Sequence, residues 1–343
     1  MSRRRVRATI IGAGSAGTQV IKGLAARGVE IVGAVELLYL GEDVGEHAGI
    51  GPLGVVFEKD AEAVVARAHA DVAVIATETP VAAIFDLVKL NLEHQTNVVT
   101  ISEDSFYPVG EGDKALIAQL GEIAVRNGVT FMATGMQDLF WQDCLVLFSS
   151  AVREVRTLRL MTTAILDGSS EEVHREIYAG KTVEEFQSSR AADLYAGEVA
   201  RGPLYAAAAD LALTVISERN VMEPIVAKQD HYSKASDLHV AKGRILGTRV
   251  TTTVETAEGI DLVLEFCAKL AEEGEADNSA LVVEGEPSLK VQVSRMSGFE
   301  NTASIVVNRV PDVIAAQPGY VQVKDLPRLA YKPAGRFEVE DRA

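Results

Sequence analysis

The sequence predicts an α/β chain in two parts, a doubly wound parallel sheet followed by an α+β domain on a mixed or antiparallel sheet. Three observations predict it. Short apolar strands alternate with helical patterns over residues 1–150. The first strand-to-helix turn carries glycines at 12, 14 and 17, spaced G-x-G-x-x-G. Beyond 151 the rhythm changes to long alternating stretches joined by a hairpin signal. The expected division is 1–150, 151–300, and a segment 301–343 whose helix and strand return toward the first domain.

Residues Val6–Ile11 read as a buried strand, and Ser15–Arg27 as a helix entered through the glycine turn. Val29–Val35 is the next strand and ends at Glu36, nineteen positions after Gly17. In such a turn the first glycine permits the tight bend and the second lets backbone approach a pyrophosphate. The third lets helix and strand pack closely, and the helix N-terminus offers free N–H groups to the phosphates. The pattern therefore implies a Rossmann-type dinucleotide site at Gly12, Gly14, Ser15, Ala16 and Gly17, with Glu36 on the adenosine ribose. Neither arginine nor lysine follows Glu36 before Lys59. A carboxylate there repels a 2′-phosphate, so NAD is favoured, with NADP left open.

Residues 37–54 are a glycine-rich connection with room for a short helix, and 59–68 read as a helix. Asp71–Thr77 is a buried strand whose end, Thr77, is expected beside the cofactor. Thr79 reads as the N-cap and Pro80 as the first residue of a helix to Glu93. A strand at 97–101, a helix at 111–127 closed by Gly128 and a strand at 129–133 complete the first domain. A helix over about 138–149 leads out of it. Residues 155–166 alternate like a half-exposed strand, polar helical segments lie between 170 and 197, and Pro203 opens an apolar helix over 204–218. Strands at 244–256 and 260–270 flank Ala257-Glu258-Gly259, and another strand spans 288–295. Asn301 or Thr302 caps a helix that runs to Val310, is disturbed at Pro311 and ends by Pro318-Gly319. Residues 320–324 form a last strand, and the charged tail 338–343 is expected to fray.

The chain has 343 residues, 48% of them hydrophobic and 24% charged, which suits two soluble domains. Its net charge of −16 argues against nucleic acid and anionic membranes as partners. Arg3-Arg4-Arg5 resembles the start of a signal peptide, but the apolar run behind it is short and broken by glycines. Cys144 and Cys267 are too few for a disulfide framework, so a cytoplasmic, reducing setting is expected. No His/Cys/carboxylate set has metal-ligand spacing, so no metal is expected.

Candidate chemistry lies at Thr100-Ile101-Ser102-Glu103-Asp104, just past the strand at 97–101. Strand ends on this side of such a sheet face the nicotinamide, so Glu103 can meet an amine or iminium and move its proton. The alternative is that Ser102, Asp104 or Ser105 caps a helical turn and Glu103 is a solvated loop acid. Ser102 is also counted with the cofactor residues. His174, His231, His239 and the cations Lys181, Arg190 and Arg201 are secondary candidates, each of which can equally be a surface or structural group.

These motifs resemble the 2,4-diaminopentanoate dehydrogenase family, relatives of dihydrodipicolinate reductases that include native NAD(P)H-dependent amine dehydrogenases. The resemblance rests on the glycine turn, the stretch Gly45-Glu46 to Leu53-Gly54-Val55, Val98 to Glu103 with Tyr107-Pro108, and the C-terminal run from Thr302-Ala303-Ser304 through Pro318-Gly319-Tyr320 to Asp325-Leu326-Pro327. It implies reversible oxidative deamination of an amine to a ketone or aldehyde plus ammonia, with Glu103 handling the amine. The chain departs from the family at Ser102 and Asp104, where a cysteine and a second glutamate are usual. It departs again at Gly135-Met136-Gln137-Asp138, where Gly-x-Asn-Pro-Gly is usual. The family's diamino acid substrate therefore does not carry over. Tyr107, Gln137, Phe140 and Trp141 are candidate pocket residues, although aromatics at a helix start also serve plain packing. A homodimer is expected by analogy of fold. Rival readings are a sugar- or polyol-type dehydrogenase, which would carry Glu-Lys-Pro where this chain has Glu103-Asp104, and a non-catalytic NAD(H)-binding protein.

Overall fold

Short buried strands separated by one-sided helices build the first sheet of the computed structural model, which describes residues 3–169, 171–189, 198–234 and 236–340. In chain order the first unit's elements are β1 (Arg3–Arg5), which lies outside that sheet, β2 (Arg7–Ile11), α1 (Ser15–Ala26), β3 (Glu30–Val35), α2 (Val44–His47), β4 (Phe57–Glu58) and α3 (Ala61–Ala68). Then come β5 (Val72–Ile75), α4 (Val81–Glu93), β6 (Asn97–Thr100), α5 (Glu111–Asn127) and β7 (Thr130–Ala133). The second unit contributes α6 (Cys144–Ser149), β8 (Glu154–Ile165), α7 (Glu171–Glu176), α8 (Val183–Ser188), α9 (Glu198–Asp210), β9 (Val215–Val226), β10 (His231–Ser233) and β11 (Leu238–Val240). It continues with β12 (Ile245–Thr256), β13 (Asp261–Lys269), β14 (Asn278–Glu286) and β15 (Leu289–Ser294), after which come α10 (Gly298–Ala315), β16 (Gly319–Tyr320) and β17 (Glu338–Glu340). The chain divides into Met1–Leu139 with Phe299–Ala343, and Phe140–Gly298.

The first unit holds a seven-stranded sheet in the order β16-β7-β6-β5-β2-β3-β4, parallel throughout. Its strands β5, β6 and β7 are buried at every position because helices cover both faces. One side of the core gathers Ile75, Ile84, Leu92, Val98, Leu120 and Phe131. The order reverses beside β2, which pairs with β3 on one side and β5 on the other. The carboxyl ends of β2 and β5 therefore flank the crevice where such sheets bind ligands.

The second unit is built on a six-stranded sheet, β15-β14-β8-β13-β12-β9. Only β8 and β13 run parallel; the other neighbours are antiparallel, so the sheet is mixed. The hairpin β12–β13 turns at Gly259, whose φ of +75° a side chain would strain. Among the described residues no helix is long and apolar enough to cross a membrane.

Several local expectations are corrected. The helix expected over 204–218 ends at Asp210, and Val215–Val226 is a strand paired with β12 along its length. Long-range pairing there overrides the helical bias of the alanine- and leucine-rich sequence. Helix α10 starts at Gly298 and passes through Pro311, because it buries Val306, Val307, Val310 and Val313 against the core. That burial offsets the backbone bond the proline removes. Pro80 is the N-cap of α4, which begins at Val81, and Thr79 stands outside the helix. Residues 338–340 pair with β1, placing Arg3 opposite Glu340 and Arg5 opposite Glu338. Backbone pairing orders this stretch, where fraying was expected; residues 341–343 of that tail lie outside the described residues. The helix expected over 138–149 is a π-helical stretch, Gln137–Asp143, followed by α6.

Candidate active site

The turn after β2 has the geometry that a dinucleotide requires. Gly12 sits at φ +94°, and a Cβ on it would lie 2.5 Å from the Ala76 carbonyl oxygen at the end of β5. On Gly17 a Cβ would lie 2.1 Å from the Gly12 carbonyl oxygen, so α1 packs directly on the loop. Gly14 is different: nothing lies within 4 Å of the place its Cβ would take. That open space is where backbone can approach a phosphate. Gly14 is the N-cap of α1, no side chain caps that end and no acid stands in its first turn. Its first N–H groups and positive dipole end suit an anion. Gly14 and Ser15 are exposed, while Ala16 and Gly17 are buried behind them.

Glu36 follows β3 and lies partly buried beside the same loop. Its Oε2 accepts from Ala13 N–H at 2.8 Å, and Oε1 accepts from Leu37 and Leu38 N–H at 2.7 and 3.1 Å. Burial works against its ionisation, but the bonds from Ala13, Leu38 and Leu37 outweigh it and hold the carboxyl below the ordinary glutamate range. A carboxylate oxygen offers two acceptor positions, so Oε2 of this ionised group retains one for a ribose hydroxyl. Thr77 is exposed at the end of β5, and its Cγ2 would stand 2.8 Å from a Cβ on Gly12. These residues fit a bound dinucleotide.

Glu103 emerges from a loop after β6 that is tied down at several points. Thr100 Oγ1 donates to the Ile75 carbonyl, and Ser102 N–H donates to Thr100 Oγ1 at 3.1 Å. The Ser102 hydroxyl donates to the Thr79 carbonyl and lies 2.8 Å from the Ser105 hydroxyl. Ser102 is thus spent on loop structure. The Tyr320 hydroxyl lies 2.8 Å from both the Ser105 and Phe106 carbonyl oxygens, which joins the C-terminal strand to the loop. Within this frame Thr79 Oγ1 donates to Glu103 Oε2 at 2.7 Å. Burial pushes the Glu103 pKa above the ordinary glutamate value, and the Thr79 hydroxyl opposes the shift without cancelling it. A carboxyl so placed can hold or release a proton closer to neutrality than a solvated one.

A second buried feature supports the stretch after β7. Asp138 and Arg309 of α10 are both fully buried and form a two-pronged ion pair, Nε to Oδ2 at 2.7 Å and Nη2 to Oδ1 at 2.8 Å. Thr134 Oγ1 also donates to Asp138 Oδ2, and Arg309 Nη1 donates to the Pro327 carbonyl. Gln137 is buried next to Gly135, whose φ is +151°. Tyr107 is partly buried in the first unit, and Phe140 partly buried in the second. Trp141, also in the second unit, is buried edge-on to Phe266, and its indole N–H has no partner among the described residues.

Of the secondary candidates, His174 Nε2 bonds the Leu166 carbonyl at 2.7 Å, and His239 stacks on Tyr232. His231 Nε2 lies 3.8 Å from Asp167, and Arg201 pairs with Glu218. Lys181 lies 4.0 Å from Glu185 on the surface. Arg190 is outside the described residues. Sequence reasoning missed Thr79 as the partner of Glu103, having assigned it to a helix cap, and it missed the pair Asp138–Arg309. An arginine set inside the apolar run 305–310 was the available signal for that pair, since a buried cation demands a buried anion.

Residues 140–333 match the family model of the 2,4-diaminopentanoate dehydrogenase C-terminal domain, and residues 6–102 match that of the dihydrodipicolinate reductase N-terminus. The 2,4-diaminopentanoate dehydrogenase of Acetoanaerobium sticklandii is 27% identical over 94% of each chain. An amine dehydrogenase structure from Mycobacterium smegmatis is 33% identical, covers 96% of this chain and 98% of its own, and superposes with a TM-score of 0.86. A myo-inositol 2-dehydrogenase from Lactobacillus plantarum shares 14% identity over 94% of this chain and 93% of its own, at a TM-score of 0.55, which is a likeness of fold alone. By its matched domains and its likeness to the amine dehydrogenase over nearly the whole chain, the protein belongs to the 2,4-diaminopentanoate dehydrogenase family, a family of NAD(P)-dependent oxidoreductases that act on CH–NH2 groups.

Proposed function

We propose that the protein interconverts an amine with a ketone or aldehyde plus ammonia, and that Glu103 is the acid–base group. The observation that carries this reading is the Glu103 carboxyl, held by Thr79 on a braced loop at the carboxyl end of the sheet, with its pKa raised by burial. A dinucleotide held at the Gly12–Gly17 turn and Glu36 would supply hydride transfer at the carbon bearing nitrogen. Glu103 then has two tasks. As a carboxylate it holds the substrate's ammonium or iminium nitrogen by charge. As a base it takes the proton that must leave the amine nitrogen or the attacking water. The Thr79 hydroxyl fixes the carboxyl's orientation during both. A sugar- or polyol-type relay would place a lysine next to the glutamate; Asp104 stands there.

Glu36, ionised and held at the ribose side with no cation on the following loop before Lys59, favours NADH over NADPH. The test is NAD(P)H consumption with small ketones and aldehydes, with and without ammonium at alkaline pH. Ammonium-dependent turnover is expected, at least about tenfold faster per unit concentration with NADH than with NADPH. Turnover of carbonyl compounds with no need for ammonium would end the amine reading, and a preference for NADPH would end the role given to Glu36.

We also propose a homodimer formed on the open face of the second-unit sheet. Register places Met161, Glu265 and Thr251 side by side across β8, β13 and β12, with Arg159 bonded to Glu265 at 2.8 Å. Apolar and paired charged groups on one flat face suit a second copy. Light scattering is expected to return twice the monomer mass; a monomer at micromolar concentration overturns it. Both cysteines are free thiols, which accords with a cytoplasmic setting; recovery of the protein in a secreted fraction would contradict it.

A further inference from the structure

The connection between β3 and β4 is glycine-rich yet firmly built, with Val44 and Ala48 buried beneath it. The Asp43 carboxylate accepts four backbone N–H groups, from Gly45, Glu46, Leu53 and Gly54, at 2.7–3.1 Å. Gly45 allows the turn to close, since a Cβ on it would lie 2.1 Å from the Gly51 carbonyl oxygen. The short helix α2 ends at His47, whose ring is fixed between Tyr39 at 4.3 Å and the edge of Phe57 at 5.3 Å. From there His47 Nε2 lies 3.1 Å from the Ala13 carbonyl oxygen and 3.2 Å from Thr18 Oγ1. Thr18 Oγ1 itself donates to the same carbonyl at 2.9 Å.

A carbonyl only accepts, so the bond to Ala13 requires the proton on Nε2; Nδ1 then faces Glu42 at 3.6 Å. Ala13, between Gly12 and Gly14, is thereby held from both ends: its N–H by Glu36 and its C=O by His47 and Thr18. In a planar trans peptide the C=O and the following N–H point in opposite directions. Anchoring the Ala13 carbonyl behind the loop therefore turns the Gly14 N–H away from it, on a residue whose surroundings are open. The Ala13–Gly14 peptide has a glycine on its C-terminal side, where φ is free, so it turns more easily than most unless something holds it.

We propose that His47 is a positioning residue of the dinucleotide site, which holds the Ala13–Gly14 peptide so that its N–H faces the pyrophosphate before the cofactor arrives. His47 touches no reacting atom; it acts through the loop. The proposal rests on the dinucleotide site and is independent of the amine chemistry.

The test compares His47→Phe, which keeps the ring between Tyr39 and Phe57 but removes the donor, with His47→Gln, which restores one. Binding is titrated with NADH, ADP-ribose and adenosine. His47→Phe is expected to weaken NADH and ADP-ribose together by about five- to tenfold, the value of one hydrogen bond, and to leave adenosine binding unchanged. KM for NADH should rise more than kcat falls, and His47→Gln should recover most of the affinity. Unchanged ADP-ribose affinity in His47→Phe overturns the proposal. So does an equal loss for adenosine, which would mark general damage to the unit. If His47→Phe does not fold, His47→Leu removes the donor with a smaller apolar side chain; the same selective loss for the pyrophosphate ligands is expected, and no loss overturns the proposal.

Discussion

Glu103→Gln is expected to lower kcat by about 10²–10⁴-fold while NADH affinity stays within about twofold. The amide keeps the shape of the side chain and can still bond to Thr79, but it neither carries charge nor accepts a proton. The same substitution is expected to raise stability at alkaline pH. The folded-state pKa of Glu103 lies above its unfolded value, so the folded protein binds the proton more tightly. Stability is therefore fully present below the unfolded pKa and declines as pH rises toward the folded one, beyond which the buried charge costs a constant amount. Glutamine removes that decline. Thermal unfolding of the two proteins should coincide at acid pH and separate as pH rises above the ordinary glutamate range, with Glu103→Gln the more stable. In the wild type, kcat/KM should fall on the acid side at a pH above the ordinary glutamate range. Turnover at the wild-type rate in Glu103→Gln would remove this residue from the chemistry, and coincident melting curves at all pH values would show that its carboxyl is solvated.

Asp138→Ala is expected to destabilise the protein by about 3–5 kcal/mol, the largest loss of stability from any single change considered. It removes the carboxylate to which Arg309, a fully buried cation, makes two bonds, and leaves Asp312, at 3.6 Å, as a more distant acid. Arg309→Met should cost a similar amount by stranding Asp138. The double change Asp138→Leu with Arg309→Met should recover a substantial part, because the desolvation cost of both charges disappears together. Denaturant midpoints at constant slope measure this. A loss below about 1 kcal/mol in both single variants would show that water reaches the pair.

Local physics made much of the first sheet legible. Strands such as 72–75 and 97–100 are continuous apolar runs bounded by helices, and only a strand buried on both faces reads that way. The glycine turn was legible for a related reason. Steric limits at Gly12 and Gly17 admit no other residue, so the spacing itself encodes the close approach of loop and helix. Glu36 could be placed because it closes the next strand of the same βαβ unit. The long strands of the second unit were legible where alternation was strong, as in 154–165, and were missed where it was weak. Val215–Val226 carries exposed or half-exposed residues almost throughout and stands at a sheet edge, so its strand character comes from pairing with β12 alone.

Composition and spacing by themselves determined the nucleotide turn, the acid beside it and the parallel sheet that presents them, because each depends on residues close in sequence and on backbone sterics. Tertiary structure alone decided the partners that meet across long separations: Thr79 with Glu103, Tyr320 with the 105–106 backbone, Asp138 with Arg309, and His47 with Ala13. Those contacts set the burial around each charged group and the direction of each donor. Proton affinity and peptide orientation follow from that surrounding field, which a linear pattern of residues does not carry.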